Sequence, residues 1–107
     1  MQKFRNVRRN GFDSKKEEGR FQQLIFLQKA GKIHNLRRQV KFELIPAQYQ
    51  DGRCVERAVN YYADFTYMEG NMLVVEDVKS KITRMQSDYI IKRKLMLWVH
   101  HIRIRET

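Results

Sequence analysis

Leu73-Val74-Val75-Glu76-Asp77-Val78-Lys79-Ser80 is a short apolar run that closes on two acids, a spacer and a lysine. A run of this length has the character of a core strand. Alternate side chains of a strand share a face, so Asp77 and Lys79 point with Leu73 and Val75, and Glu76 points the other way. Ionised groups at the end of an apolar strand are costly unless they are paired or bound to a metal. An acid and a lysine two apart suit a site that holds a divalent cation beside a phosphate. The same pattern also arises where a strand reaches solvent and carries a Lys–Asp surface pair, so it gains force only if other carboxylates converge on it.

One acid arrives from the preceding strand. Val55 to Met68 alternates as a strand rich in Val, Tyr, Phe and Thr, and Tyr61-Tyr62-Ala63-Asp64-Phe65-Thr66-Tyr67 places a single aspartate inside its aromatic part. Aspartate is depleted from strand interiors, so Asp64 calls for a reason. Glu69-Gly70-Asn71 is a turn signal that joins the two strands as an antiparallel hairpin. If Met68 faces Leu73 across that hairpin, the same register sets Asp64 opposite Asp77. Facing residues share a sheet face, with β-carbons roughly 4.5–5.5 Å apart. Two carboxylates that close repel each other, and a cation would relieve them. A slip of one residue would remove the convergence.

A third acid lies on the N-terminal side. Phe12-Asp13-Ser14-Lys15-Lys16-Glu17-Glu18 precedes Phe21, Leu24, Ile25 and Leu27, an apolar stripe at helical spacing that ends at Ala30-Gly31. Ser14 and Glu17 have the spacing of a capping box, which by itself accounts for a glutamate there. Glu17 also lies four before Phe21 and seven before Leu24, on the core-facing side, whereas Glu18 falls nearer the edge of the stripe.

Glu17 on a helix, Asp64 on a strand and Asp77-Val78-Lys79 at a strand end together resemble the PD-(D/E)XK nuclease superfamily. More closely, the chain is similar to a family of small phage and prophage proteins in that superfamily, related to TnsA-type transposon endonucleases and phage junction-resolving endonucleases. The resemblance rests on Phe12-Asp13-Ser14-Lys15-Lys16-Glu17, Phe42-Glu43-Leu44-Ile45-Pro46, Tyr62-Ala63-Asp64-Phe65 and Val75-Glu76-Asp77-Val78-Lys79, and runs from about Phe12 to Ile104. Ala63 stands where the superfamily often has a proline before the aspartate. The resemblance implies a phosphodiester-hydrolysing DNA endonuclease of a phage or prophage, at work in the cytoplasm of a bacterial host, with branched DNA such as a Holliday junction one candidate substrate alongside a flap, a nick and plain duplex. It implies that Asp64, Asp77, the carbonyl of Val78 and Glu17 hold Mg²⁺, with Mn²⁺ as a substitute. Glu17 would orient a water or help hold a second ion, and Lys79 would position the attacking water or offset charge on the phosphate. Cutting both strands of a junction from one site per chain would require a homodimer.

Composition agrees with a polyanionic partner. The 107 residues carry 22 Lys and Arg against 12 Asp and Glu, a net charge of +10, with a pI near 10.1. Such a surplus points to nucleic acid before membrane. No stretch approaches the roughly 20 apolar residues of a membrane span. Cys54 is the one cysteine, so no intrachain disulfide can form, which suits a reducing compartment. Lys3, Arg5, Arg8 and Arg9 make a basic N-terminal arm over residues 1–11, ahead of a single domain over 12–107. Lys15 and Lys16 extend this basic character onto the first helix. Lys92-Arg93-Lys94 interrupt a later helix whose apolar positions are Met85, Tyr89, Ile90, Leu95, Trp98 and Val99. Arg5, Arg8, Arg9, Lys15, Lys16, Lys92, Arg93 and Lys94 are therefore the candidate phosphate contacts.

The expected layout is a helix over 14–30, strands over 33–46, 55–68 and 72–79, a helix over 83–99 and an edge strand over 101–106, with Asp51-Gly52 turning the first hairpin. Helices flanking a mixed sheet in this order make an α/β fold with the αβββαβ core of restriction endonucleases. His100 and His101, as strand neighbours, would face opposite ways and could not share a metal. Cys54 has no partner base for nucleophilic chemistry. A different class of function uses the same charge: a non-catalytic basic DNA-binding module in which the acids are structural. A nuclease acting on RNA is a further alternative within enzymes.

Overall fold

The computed structural model describes residues 11–12 and 14–107; Arg5, Arg8 and Arg9 of the basic arm lie outside the described residues. Helix α1 spans Lys15–Lys29. It begins where Ser14, in extended backbone, accepts a hydrogen bond from the Glu17 N–H through its hydroxyl at 3.1 Å, and it carries Glu17 and Glu18 in its first turn, where acids favour the helix dipole. It stops at Ala30, followed by Gly31 at φ +76°, a left-handed position that glycine adopts without a β-carbon penalty.

Strand β1 (His34–Ile45) leads into a small separate hairpin, β2 (Gln48–Gln50) and β3 (Arg53–Glu56), and the chain then returns as β4 (Val59–Glu69) and β5 (Met72–Asp77). The expected Asp51-Gly52 turn is present, with φ of +51° and +78°, the pair of positive values a tight two-residue hairpin needs. The hairpin is the first departure from the sequence reading. Val55 belongs to β3, and the long second strand starts only at Val59. Helix α2 (Lys81–Arg84) and helix α3 (Ser87–His100) replace the single expected helix, and β6 is confined to Arg105–Glu106. His101 is the left-handed cap of α3 at φ +60°, and His100 ends that helix with Nε2 2.7 Å from the Glu43 carbonyl; neither stands in a strand.

The main sheet runs β1-β4-β5-β6, antiparallel except for the parallel β5–β6 edge, so it is mixed, with helices on its two faces. Val74 packs with Leu24 of α1, whereas its neighbour Val75 packs with Tyr89 and Met96 of α3. Adjacent strand residues point to opposite faces, so the two helices cover opposite sides. Burial on α3 differs from the apolar stripe expected there. Tyr89 and Met96 are buried, but Trp98 and Val99 are exposed, Trp98 at 79%, and Met85, also expected in the stripe, is the exposed C-cap of α2.

The sheet changes phase halfway along. In β4, Tyr61 and Ala63 join the α3 cluster while Phe65 and Tyr67, of the same parity, join the α1 cluster. In β1, Phe42 and Leu44 pack on the α3 side and Leu36 on the α1 side. Unbroken alternation would keep each set on one face. The division falls at Gln39 of β1, whose φ is +50°, and at Asp64 of β4.

Glu76 locks the α1 face. Fully buried, it accepts from Arg20 Nε at 2.5 Å and Nη2 at 3.0 Å, from the Tyr67 hydroxyl at 2.6 Å and from the Thr107 hydroxyl at 3.0 Å. Burial pushes its pKa up, but the hydrogen bonds and charge from Arg20 and Tyr67 outweigh burial and hold the carboxyl below its usual range. Removing one partner of a buried ion pair leaves the other uncompensated. Glu76→Ala is therefore expected to cost about 3–5 kcal/mol of folding stability, seen as a lower urea midpoint at unchanged slope. The control Tyr62→Ala, at a residue 53% exposed, should stay within about 0.5 kcal/mol of the parent.

Candidate functional site

The expected register is the one observed. Met68 pairs with Leu73 and Phe65 with Glu76, and just beyond that last pair the Asp64 and Asp77 carboxyl groups meet in a hydrogen bond. Asp64 Oδ2 accepts from the Val78 N–H at 2.8 Å, so the backbone just past β5 fixes its rotamer. Asp77, 2% exposed, accepts from the Tyr61 hydroxyl at 2.8 Å and lies 3.3 Å from Lys79 Nζ. Tyr61, which reads as sheet packing in the sequence, is thus also an Asp77 ligand. Burial pushes the Asp77 carboxyl up to about 8, with the hydrogen bond and negative charge of Asp64 adding to the effect and Lys79 and Tyr61 opposing it. Near neutral pH Asp77 therefore keeps its proton.

Lys79 stands beyond the end of β5 rather than within it, but it still turns toward Asp77, as face alternation requires. Its N–H donates to the Thr107 carbonyl at 3.0 Å, and its ammonium rests 4.7 Å from the centre of the Tyr89 ring. The Tyr89 hydroxyl donates to Glu106 Oε2 at 2.5 Å, which keeps the ring in place beneath the lysine. Burial, then the Glu106 hydrogen bond, hold the Tyr89 hydroxyl protonated far above its ordinary range. Glu106 also faces Arg93 at 3.7 Å and Arg84 at 3.9 Å.

Glu17 is buried at 4% exposure on the inner side of α1, where the helical stripe puts it. It reaches Asp64 through a residue the sequence reading missed. Gln39 Nε2 lies 3.4 Å from Glu17 Oε2 and 3.2 Å from Asp64 Oδ1, donating toward both. Only the pairing of β1 with β4, which brackets Gln39 opposite Asp64 between Arg38↔Phe65 and Val40↔Ala63, could have flagged it. Glu17, Asp64, Val78 and Lys79 line one side of a cleft of about 470 Å³ that Ser14, Lys16, Ser80 and Thr83 complete. Lys16 Nζ bridges across it to the Lys79 carbonyl at 3.1 Å.

The structure thus joins Asp64, Asp77 and Lys79 directly and Glu17 at one remove. Among the described residues no three His, Cys, Asp or Glu side chains gather at one point as a ready metal cluster. Val78 touches Asp64 through its N–H, and Glu76 is held on the opposite face from Asp77, as alternation requires. Of the proposed phosphate contacts, Lys15, Lys16 and Lys94 are exposed, Lys92 is half-buried, and Arg93 is half-buried and engaged with Glu106.

The Asp77 proton bears on stability. The folded pKa of Asp77 lies above its unfolded value, so between about pH 4 and the folded value near 8 the native state holds a proton that the unfolded chain has lost. Stability is then expected to fall as pH rises through that window. Asp77→Asn removes the repulsion without the proton. In metal-free buffer at pH 8 it should melt above the parent by about 4–8 °C per kcal/mol relieved. Its melting temperature should also vary less between pH 5 and 8, as read by thermal melts across that range.

Residues 2–106 match a sequence family described as a protein of unknown function (DUF1064). No curated protein and no solved structure matches the chain. A match over nearly its whole length makes this chain a member of the DUF1064 family.

Proposed function

We propose that the protein is a divalent-metal-dependent DNA endonuclease built on the restriction-endonuclease-like αβββαβ core, with the β2–β3 hairpin inserted between the first two core strands. The observation that carries this reading is the meeting of Asp64 and Asp77 beside Lys79 at the end of an otherwise apolar strand. A fold gains nothing from setting the half-buried Asp64 carboxylate against the buried Asp77, and here Asp77 is tolerated by retaining a proton. A cation could take that proton's place, and the donor set fits a hard ion: carboxylate oxygens of Asp64 and Asp77, with Glu17 and the Val78 carbonyl as further candidates. Such an ion, Mg²⁺ or Mn²⁺, would supply neutralisation of the scissile phosphate and acidification of water when bound.

The remaining roles belong to the chain itself. Asp77 is oriented by the Tyr61 hydroxyl and Asp64 by the Val78 N–H, so neither must reorganise to act. Lys79, braced by the Tyr89 ring, offers its ammonium to charge growing on the phosphate. Glu17 faces the same cleft and would orient the attacking water. Lys15, Lys16 and Lys94, with the basic N-terminal arm, would contact the DNA backbone on either side. Cleavage of both strands would call for a homodimer.

The alternative, a basic DNA-binding module without catalysis, has one observation in its favour: no three potential ligands are gathered at one point among the described residues. Purified protein with Mg²⁺ or Mn²⁺ and a panel of linear, branched and single-stranded DNAs separates the two readings. Nicking of at least one substrate is expected, and nicking of none would leave the binding module.

Asp64→Asn and Asp77→Asn should abolish cleavage with DNA binding intact or tighter, because each removes negative charge facing phosphate. Glu17→Gln keeps the helix-capping option, yet should slow cleavage at least about tenfold, about 1.4 kcal/mol of barrier, with melting temperature hardly changed. Normal cleavage by this variant would leave Glu17 as a helix residue only. Binding should weaken linearly on a log–log salt plot, and Lys15→Ala and Lys94→Ala should each lower the slope by about one.

A further inference from the structure

Gln39 combines three features. It sits in the middle of β1, yet its backbone is left-handed at φ +50°. Asn35, Asp51 and His101 share positive φ among the described non-glycine residues, but Asn, Asp and His are the types that tolerate it, and Asp51 and His101 lie in a turn and at a helix cap. A glutamine in mid-strand has no such excuse, and a retained outlier of this kind points to function. Its side chain is exposed and belongs to neither core cluster. What the distortion achieves is direction: the amide reaches both Glu17 on α1 and Asp64 on β4.

On the proposed metal-dependent reading, we infer that Gln39 is a positioning residue that ties Glu17 to the Asp64–Asp77 pair and so completes the cation site. A primary amide nitrogen carries two hydrogens, one for each carboxylate, and it does so without adding charge that would repel a cation. An ionised carboxylate has about four acceptor directions, so accepting a hydrogen from Gln39 does not by itself preclude metal ligation. The gap that separates Glu17 from a three-carboxylate cluster is the gap the Gln39 amide spans.

The test uses Mn²⁺ alone as probe, with full-length protein, followed by isothermal titration or the loss of free-ion paramagnetic signal, alongside thermal melts. Gln39→Gly deletes the amide and suits the left-handed backbone, so it should melt no lower than the parent. It should nevertheless bind Mn²⁺ roughly tenfold or more weakly, the size seen when groups that orient metal ligands are removed. Gln39→Asn, which keeps an amide and tolerates positive φ, should recover part of that affinity. In a Glu17→Ala background the Gln39→Gly effect should shrink, since the two residues act together.

Parent protein that binds no Mn²⁺ would overturn both this inference and the metal-dependent reading. Parent that binds, with Gln39→Gly within about twofold of it or with fully additive double-variant losses, would overturn only the role of Gln39. A Gln39→Gly protein that melts well below the parent would make Gln39 a structural brace and also overturn it.

Discussion

Everything distinctive about this molecule follows from the register between β4 and β5. Met68 faces Leu73, and from that one pairing each later residue of β5 is assigned a face. Glu76 is sent to the α1 side and meets Arg20, Tyr67 and Thr107; Asp77 is sent to the α3 side and meets Asp64, Tyr61 and Lys79. Two adjacent acids of the same strand thereby live in opposite electrostatic worlds. The first is surrounded by donors and ionised at all ordinary pH; the second is crowded by a like charge and keeps a proton near neutrality. A slip of one residue would exchange them, setting an unpaired acid against the α1 core and breaking the site.

This contrast also separates stability from chemistry. The Glu76 network ties a helix, two strands and Thr107 into one unit, and its desolvation cost is offset by four hydrogen bonds from three residues. Asp77 does the opposite, since burial and the neighbouring Asp64 carboxylate raise the cost of ionising it. Two neighbouring acids whose pKa values are pushed apart by their surroundings are a pattern found at functional sites. The sheet's change of phase at Gln39 and Asp64 belongs to the same arrangement. It lets α1 cover one end of the sheet and α3 the other, and the site opens where neither helix closes it.

The surface is consistent with work on a polyanion, but its charges are not equivalent. Arg93 is drawn into the Glu106 network with Tyr89 and Arg84, whereas Lys15, Lys16 and Lys94 reach solvent. The outward face of α3 exposes Trp98 and Ile91 beside Lys94, and of these apolar periodicity had assigned Trp98 to the helix's apolar stripe.

The chain's own sequence determined the parts governed by short-range rules. Ser14 with the Leu24 stripe defined α1, Asp51-Gly52 defined a hairpin turn, and the Gly70-Asn71 turn with alternating neighbours set the register that brings Asp64 to Asp77. Each depends on local backbone preference and strict two-residue alternation, which a sequence carries in full. What tertiary structure alone decided is long-range. Trp98 is exposed because the sheet offers α3 room for only one narrow stripe, around Tyr89 and Met96. Glu76 became a structural anchor because Arg20 and Thr107 arrive from the far parts of the chain. Gln39 was invisible because neither its residue type nor its neighbours signal a site; its meaning lies in a left-handed backbone and in two partners, 22 and 25 residues away, that only the folded sheet brings within reach.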